Sequence, residues 1–424
     1  MSHENKKKRV LIFSLTYHPY VGGAEIAIKE IADRIPASEY EFDMVTLRFN
    51  KNLPAVERIG NVTVHRIGMT TDSPKISDRN IPFTAKLAKI LFPFSSFRKA
   101  RALHKEHAYD MVWAMMANYA GFGALLFKYA YPRVPYFLEL QDGNTLEQVK
   151  ARRPILFLLW PLYKRVYLKA DLIKVISHFI EKLARNIGFA GPVAVIPNAV
   201  NVAQFSLPVP KETEVELKAR FGKKMGLPAA PGHAAQAGDV FLFTASRLVL
   251  SRGVEDIIRA LARLPSHVKL LVAGAGDDRK ELEKIAHDVG VENRVIFAGQ
   301  VEHAKLPAYY KISDIFVRPS IVEGFGSAFV EAFAAGIPVI ATPVGGIPDF
   351  LYDPERNPQS PATGLFCEPR NPESIARAVL QYMKEPALVA EVVQNAKALV
   401  EEKYDWNIIA RDMERKVFAK LTNL

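Results

Sequence analysis

The sequence predicts two α/β domains in tandem, each built on a doubly wound parallel sheet. Short apolar runs alternate with segments of helical spacing along most of the chain, which is the pattern of βαβ units. The alternation breaks at residues 206–238 and then restarts. With 424 residues, 49% of them hydrophobic and 24% charged, the chain is long enough for two such domains, each with a sizeable core.

In the first half, Val10–Leu15, Phe42–Leu47, Val62–Ile67, Met111–Ala114, Tyr136–Leu140, Leu172–Ile176 and Val193–Ile196 read as strands. Gly23–Ile35 has helical spacing through Ile26, Ile31 and Ile35. Residues 206–238 hold Pro208, Pro210, Pro228 and Pro231, a charged helical piece and the Ala/Gly-rich stretch Ala229–Gly238. They read as a linker with a surface insertion. Beyond them, Val240–Ala245, Val268–Ala273, Val295–Ala298, Ile315–Val317 and Val339–Ala341 read as strands. Val254–Leu264, Arg279–Val289, Ser327–Ala335, Pro372–Met383 and Leu388–Glu401 fit helices, and Asp405–Leu421 is a charged amphipathic helix. The expected division is 1–205, an N-terminal acceptor domain; 206–238, the linker; 239–400, a C-terminal donor domain; and 401–424, a helix packing back on the N-terminal domain.

Composition narrows the function. A single cysteine, Cys367, excludes an intramolecular disulfide. The apolar runs Val10–Leu15 and Ile155–Tyr163 are too short for a signal core or a membrane span. The expectation is a cytoplasmic protein. Residues 1–200 carry 29 Lys and Arg against 17 Asp and Glu, so the net charge of +11 resides in the first half. Such an asymmetry points to an acidic partner, or simply to a solvated basic surface. Nucleic acid is set aside, because no zinc-finger spacing or aromatic-basic motif accompanies the charge.

Ligands of doubly wound domains bind where βα loops gather at the carboxyl ends of the strands. One such loop is Glu323-Gly324-Phe325-Gly326-Ser327-Ala328-Phe329-Val330-Glu331, opening a helix. Glycines there let a ligand approach the free amides of Gly326, Ser327 and Ala328, which with the helix dipole favour phosphate. Glu331 lies one turn further in and is the only charged side chain within residues 324–348. A charge in such an apolar stretch requires partners, and a ribose diol supplies two donors. Glu323 is placed to accept from hydroxyls of a second sugar. The plainer alternative makes the two glutamates a surface residue and a turn residue. A second loop, Ser246–Gly253, places Arg247 and Arg252 after a strand, a pair suited to a diphosphate or merely to solvent. Gly22-Gly23 and Gly274-Ala275-Gly276 are weaker signals, since tight turns also need glycine. No clustered metal-ligand set is visible.

Taken together, these pieces resemble the retaining glycosyltransferases of family 4, which have the GT-B fold of two Rossmann-like domains facing a cleft. The resemblance rests on Gly22-Gly23-Ala24-Glu25, Val195-Ile196-Pro197-Asn198-Ala199-Val200-Asn201, Arg247…Arg252-Gly253, Glu323…Glu331, Ala335-Gly336-Ile337-Pro338 and Gly345-Gly346-Ile347-Pro348. It implies a nucleotide-diphosphate-sugar donor, a UDP-sugar or GDP-sugar, with no cofactor and no metal. Glu331 would hold the ribose, Glu323 the transferred sugar, and Gly324, Phe325, Gly326 and Ser327 would line the donor. Arg247 and Arg252 would stabilise the leaving diphosphate, with Gly22 and Gly23 closing over it from the other domain. This chain has Arg252 where the family usually has lysine, and Gln141-Asp142 where it often has His-Asp. Glutamine relays no proton, so Gln141 is a candidate for positioning sugar or acceptor, and Asp142 a candidate catalytic residue.

The expected reaction moves a hexose with retention to a lipid-linked or polysaccharide hydroxyl. A nucleotide-sugar epimerase of the same fold and an inactive sugar-nucleotide binding protein are the alternatives. On the acceptor side, Phe83, Leu87, Ile90, Leu91 and Phe94 fall on one helical face within residues 81–107, with Pro93 expected to kink or end the helix. Arg98, Lys99, Arg101 and Lys105 follow, and a second apolar segment lies within residues 152–165. Both suit an anionic membrane surface and a peripheral enzyme on the inner face, or else two core helices with solvated ends.

Overall fold

The computed structural model describes residues 7–68, 82–143, 160–213, 215–217 and 240–422. The chain divides into two units, Met1–Ala199 with Trp406–Leu424, and Val200–Asp405.

Among the described residues, the first unit carries eight strands. They are β1 (Lys8–Phe13), β2 (Tyr40–Leu47), β3 (Val56–Ile59), β4 (Val62–Ile67), β5 (Met111–Met115), β6 (Tyr136–Leu140), β7 (Leu172–Val175) and β8 (Val193–Val195). Their order is β3-β4-β2-β1-β5-β6-β7-β8, parallel except for the antiparallel β3–β4 hairpin. The central strands are buried along most of their length, which is why they read as unbroken apolar runs. β1 sits between β2 and β5, so the winding reverses there and the loops after β1 and β5 meet at a switch point.

The last helix, Trp406–Met413, continues through a π-helical turn at Glu414–Phe418. Trp406, Ile409, Met413 and Val417 recur at helical spacing and enter the first unit's core. Phe418 packs there against Tyr40, Phe42, Trp113 and Phe137. The expected boundary at 205 shifts to Ala199/Val200. The cause is local: Val200 N–H bonds to Tyr404 O, and Phe205 packs on Tyr310 of the second unit. Most of the expected linker, from residue 218 onward, lies outside the described residues.

The helix Phe83–Glu106 runs through Pro93 without ending there. Its buried side carries Ala85, Ala88, Phe92, Ser96, Ala100 and Leu103, mostly small residues. They let it lie close to the helix Tyr119–Ala130, where a Cβ on Gly123 would come within 2.4 Å of Ser96 Oγ. The large apolar stripe faces the other way. Phe83 is 78% exposed, Ile90 57%, Leu91 45% and Phe94 65%. This corrects the core-helix alternative for residues 81–107: close packing selects the small face for the interior and leaves the bulky one outside. Arg98, Arg101 and Lys105 continue the stripe's spacing and are exposed. Of the second segment, residues 152–159 lie outside the described residues; the rest opens the helix Trp160–Leu168, with Leu162 exposed and Tyr163 buried.

The second unit holds β9 (Val240–Ala245), β10 (Val268–Ala273), β11 (Val295–Gly299), β12 (Ile315–Arg318), β13 (Val339–Ala341) and β14 (Leu365–Phe366). Among the described residues these form an all-parallel sheet in the order β11-β10-β9-β12-β13-β14. Its switch point lies between β9 and β12, which places the loops bearing Arg247, Arg252 and Glu323 side by side.

One buried acid sets a pH dependence. Asp256, in the first turn of the helix Val254–Leu261, is 6% exposed, and its Oδ2 lacks a hydrogen-bond partner among the described residues. Burial, with the nearby Glu255 charge, pushes its pKa up to about 6. The folded state therefore holds this proton more tightly than the unfolded state does. Stability from this group is present at low pH and is lost as pH rises through about 6. Asp256→Asn is expected to raise the stability at pH 8 by roughly 1–2 kcal/mol and to leave it unchanged near pH 4. Thermal unfolding at the two pH values checks this.

Candidate functional site

In the second unit the two switch-point loops are laced together. Ile321 N–H bonds to Ser251 O at 2.9 Å, and Arg252 Nη1 reaches Val322 O at 3.1 Å and Glu323 Oε2 at 2.8 Å. The same oxygen takes Arg318 Nη2 at 2.8 Å. Arg318 ends β12, is 7% exposed and lies over the Phe329 ring. Desolvation pulls the pKa of this guanidinium below its ordinary value, and Glu323 opposes that. Glu323 is thus the centre of a cation–anion–cation triad, with Ser320 Oγ beside it at 3.4 Å. One of its oxygens belongs to the arginines, because a charge this buried needs a counter-charge.

The loop then turns at Gly326, whose φ of +90° caps the helix Ser327–Ala335 without a side-chain bond. The first amides of a helix have no intrahelical partner, so this N-terminus presents Ser327 and Ala328 N–H groups to an anion. Gly345 packs behind the loop with φ +59°, and a Cβ there would stand 1.7 Å from Glu323 O. Gly324 is buried, and the Phe325 ring lies among Phe350 and Tyr404, which leaves only its main chain for a ligand.

Glu331 faces inward one turn along, 7% exposed. The protein already supplies it with two donors, Tyr310 OH to Oε2 at 2.9 Å and His303 Nε2 to Oε1 at 3.0 Å. Burial, reinforced by the Glu331 charge, pushes the Tyr310 phenol well above its ordinary pKa, so it remains a donor. Arg247 stands exposed on its loop, above the Gly274–Gly276 turn that bonds to Leu248.

In the first unit, Gly22 caps the helix Gly23–Arg34, but its N–H is held by Glu25 Oε2 at 2.8 Å, and Thr16 Oγ1 donates to Oε1. The acid of the Gly-Gly-Ala-Glu motif therefore forms half of a capping box and occupies an amide expected for phosphate. Gln141 follows β6, bonded to Glu139 and Asn198, while Asp142 is exposed beside it.

Arg318, Tyr310, His303 and Asn198 were not singled out by sequence reasoning. Arg318 gave a signal, a charge ending the apolar run Ile315–Val317, and Asn198 stood in a motif read only as a match. His303 gave none.

Two loops after neighbouring strands, a helix N-terminus and two buried glutamates stand together in the second unit, and they carry residues on which the resemblance to family 4 glycosyltransferases rests. Family models agree: Glycosyltransferase Family 4 matches residues 21–204, and Glycosyl transferases group 1 matches residues 230–399. The chain belongs to this group of glycosyltransferases. An uncharacterized glycosyltransferase of Methanocaldococcus jannaschii is 26% identical over 95% of this chain and 96% of its own. A GDP-mannose-dependent alpha-(1-6)-phosphatidylinositol monomannoside mannosyltransferase of Mycobacterium tuberculosis is 32% identical over 39% of this chain and 44% of its own. Among solved structures, sucrose-phosphate synthase from Thermosynechococcus elongatus superposes with a TM-score of 0.78 at 23% identity, covering 98% of this chain and 100% of its own. That likeness establishes the GT-B fold. The comparisons favour glycosyl transfer over the epimerase alternative.

Proposed function

We propose that the protein transfers a hexose from a nucleotide-diphosphate sugar to a hydroxyl of a lipid-linked or polysaccharide acceptor, with retention and without a metal. The observation that carries this reading is the Arg252–Glu323–Arg318 triad beside an uncapped helix N-terminus, with Glu331 one turn further in. Two guanidinium groups on one carboxylate leave net positive charge where a diphosphate would lie.

In this reading Glu331 accepts from the ribose diol while Tyr310 and His303 hold its orientation. Glu323 Oε1, which its arginines leave open, accepts from the transferred sugar. The anomeric C1–O bond breaks, and its electron pair goes to the diphosphate. Arg247, the remaining Arg252 donors and the Ser327 and Ala328 amides stabilise that charge. A diphosphate oxygen then takes the acceptor's proton as the acceptor oxygen bonds to C1 on the same face. The test is release of nucleoside diphosphate from UDP-glucose and GDP-mannose by the wild type. Release by the wild type and loss in Arg247→Ala support the reading; no turnover of either sugar, or full activity in Arg247→Ala, contradicts it.

The helix Phe83–Glu106 supports a membrane-associated acceptor. Its outward stripe is apolar from Phe83 to Phe94 and basic from Arg98 to Lys105, a match for acyl chains and anionic headgroups. No described helix is long and apolar enough to cross a membrane. The protein is expected to float with phosphatidylglycerol vesicles at low salt. The triple variant Phe83→Ser/Ile90→Ser/Phe94→Ser should lose that binding with little change in Tm, since its sites are exposed. A wild type that stays unbound removes the membrane claim.

A further inference from the structure

Under the loops of the first unit lies a fully buried ion pair. Glu139 and Lys174, in register across β6 and β7, are both 0% exposed, with Nζ 2.5 Å from Oε1. Glu139 also accepts from Trp113 Nε1 at 2.8 Å and from Gln141 Nε2 at 2.6 Å. A carboxylate can only accept. Gln141 must therefore turn its NH2 group toward Glu139 and its Oε1 away. That oxygen also only accepts, and it takes Asn198 Nδ2 at 3.0 Å. The buried charge thus sets the direction of both amides, and Asn198 Oδ1 is the acceptor left at the end. It is buried, on a residue 4% exposed, and has no hydrogen-bond partner among the described residues.

Folded cores rarely leave such an acceptor unmatched, and those that remain call for a ligand or a water. Asn198 lies at the carboxyl end of the sheet, where ligands of this architecture bind. Its neighbour Gly23 has no side chain, and even an added Cβ would stand off from Nδ2 at 3.8 Å.

We propose that Asn198 Oδ1 accepts a hydrogen bond from a sugar hydroxyl, held in its accepting orientation by Gln141 and the Glu139–Lys174 pair. This rests on the glycosyl-transfer reading above. Gln141, Glu139 and Lys174 are positioning residues. The hydroxyl comes either from the donor's sugar or from the acceptor, and the test separates the two.

Binding of UDP, GDP, UDP-glucose and GDP-mannose is compared for the wild type and Asn198→Ala, with octyl mannoside and octyl glucoside as acceptor probes. If the donor supplies the hydroxyl, Asn198→Ala binds the nucleoside diphosphate normally and loses about 10-fold in affinity for the nucleotide sugar only. If the acceptor supplies it, donor binding is unchanged and the acceptor KM rises by a similar factor at nearly constant kcat. Glu139→Gln/Lys174→Met keeps the core neutral but frees Gln141 to flip. It should reproduce the same selective loss with Asn198 still present, which a purely structural pair would not do. Wild-type values in both arms for a folded Asn198→Ala overturn the proposal, with Oδ1 then facing only a water. A wild type that binds none of the four nucleotides overturns it together with the reading beneath it.

Discussion

Glu331→Ala is expected to weaken nucleotide binding by about 100-fold while the protein stays folded. The carboxylate accepts from Tyr310 and His303 and, in the proposed complex, from both ribose hydroxyls. Hydrogen bonds to a charged group contribute about 1.5–3 kcal/mol each, so losing two with the ribose at the lower end of that range, about 3 kcal/mol, accounts for a factor of that size. The fold has less at stake. Tyr310 OH can turn its one proton to the Ala328 carbonyl, 3.0 Å away, and the His303 side chain is 39% exposed and can be hydrated. Unliganded Tm should fall only slightly, whereas the thermal shift induced by nucleotide should vanish. Glu331→Gln should fall between the two, because its NH2 group must face one of the two donors. An undiminished nucleotide-induced shift in Glu331→Ala would remove Glu331 from the donor site.

Glu323→Ala should behave in the opposite way and damage the fold first. It leaves Arg318 buried, its charge facing Phe329 and the second cation Arg252. Breaking a buried pair by removing one partner costs about 3–5 kcal/mol. Arg252 contributes little to that cost, since its side chain is 24% exposed and hydrates. The double variant Glu323→Ala/Arg318→Met removes both buried charges and should recover most of the lost stability, but not the activity. Urea unfolding measures the first effect, and nucleoside-diphosphate release measures the second. If Glu323→Ala is as stable as the wild type, the triad does not hold the loop.

The sheets were largely legible in the sequence. Val62–Ile67, Tyr136–Leu140, Val240–Ala245, Val268–Ala273 and Val339–Ala341 are strands with the bounds their apolar runs predicted. Parallel strands buried on both faces leave that imprint. The β3 edge hairpin and the two-residue β14 leave too little pattern to read. Periodicity marked the Phe83–Phe94 stripe, yet it could not tell which face of the helix is buried. That depends on Gly123 and Ser96 allowing two helices to touch. The site shows a similar limit. Glu323 and Glu331 stood out in the sequence as charges flanking an otherwise apolar loop and helix start, whereas the partners the fold gives them, Arg318, Tyr310 and His303, come together only through the order of β9, β12 and the helix Leu306–Lys311. Glu25 looked like part of a ligand motif, and its capping bond to Gly22 appears only in three dimensions.

The central claim is that the second unit holds a nucleotide-diphosphate sugar. Isothermal titration of the wild type with UDP, GDP, ADP and CDP tests it most directly. The account predicts that one nucleoside diphosphate binds with a dissociation constant well below millimolar and that its titration signal disappears in Glu331→Ala. No binding by any of the four at millimolar concentration would contradict it.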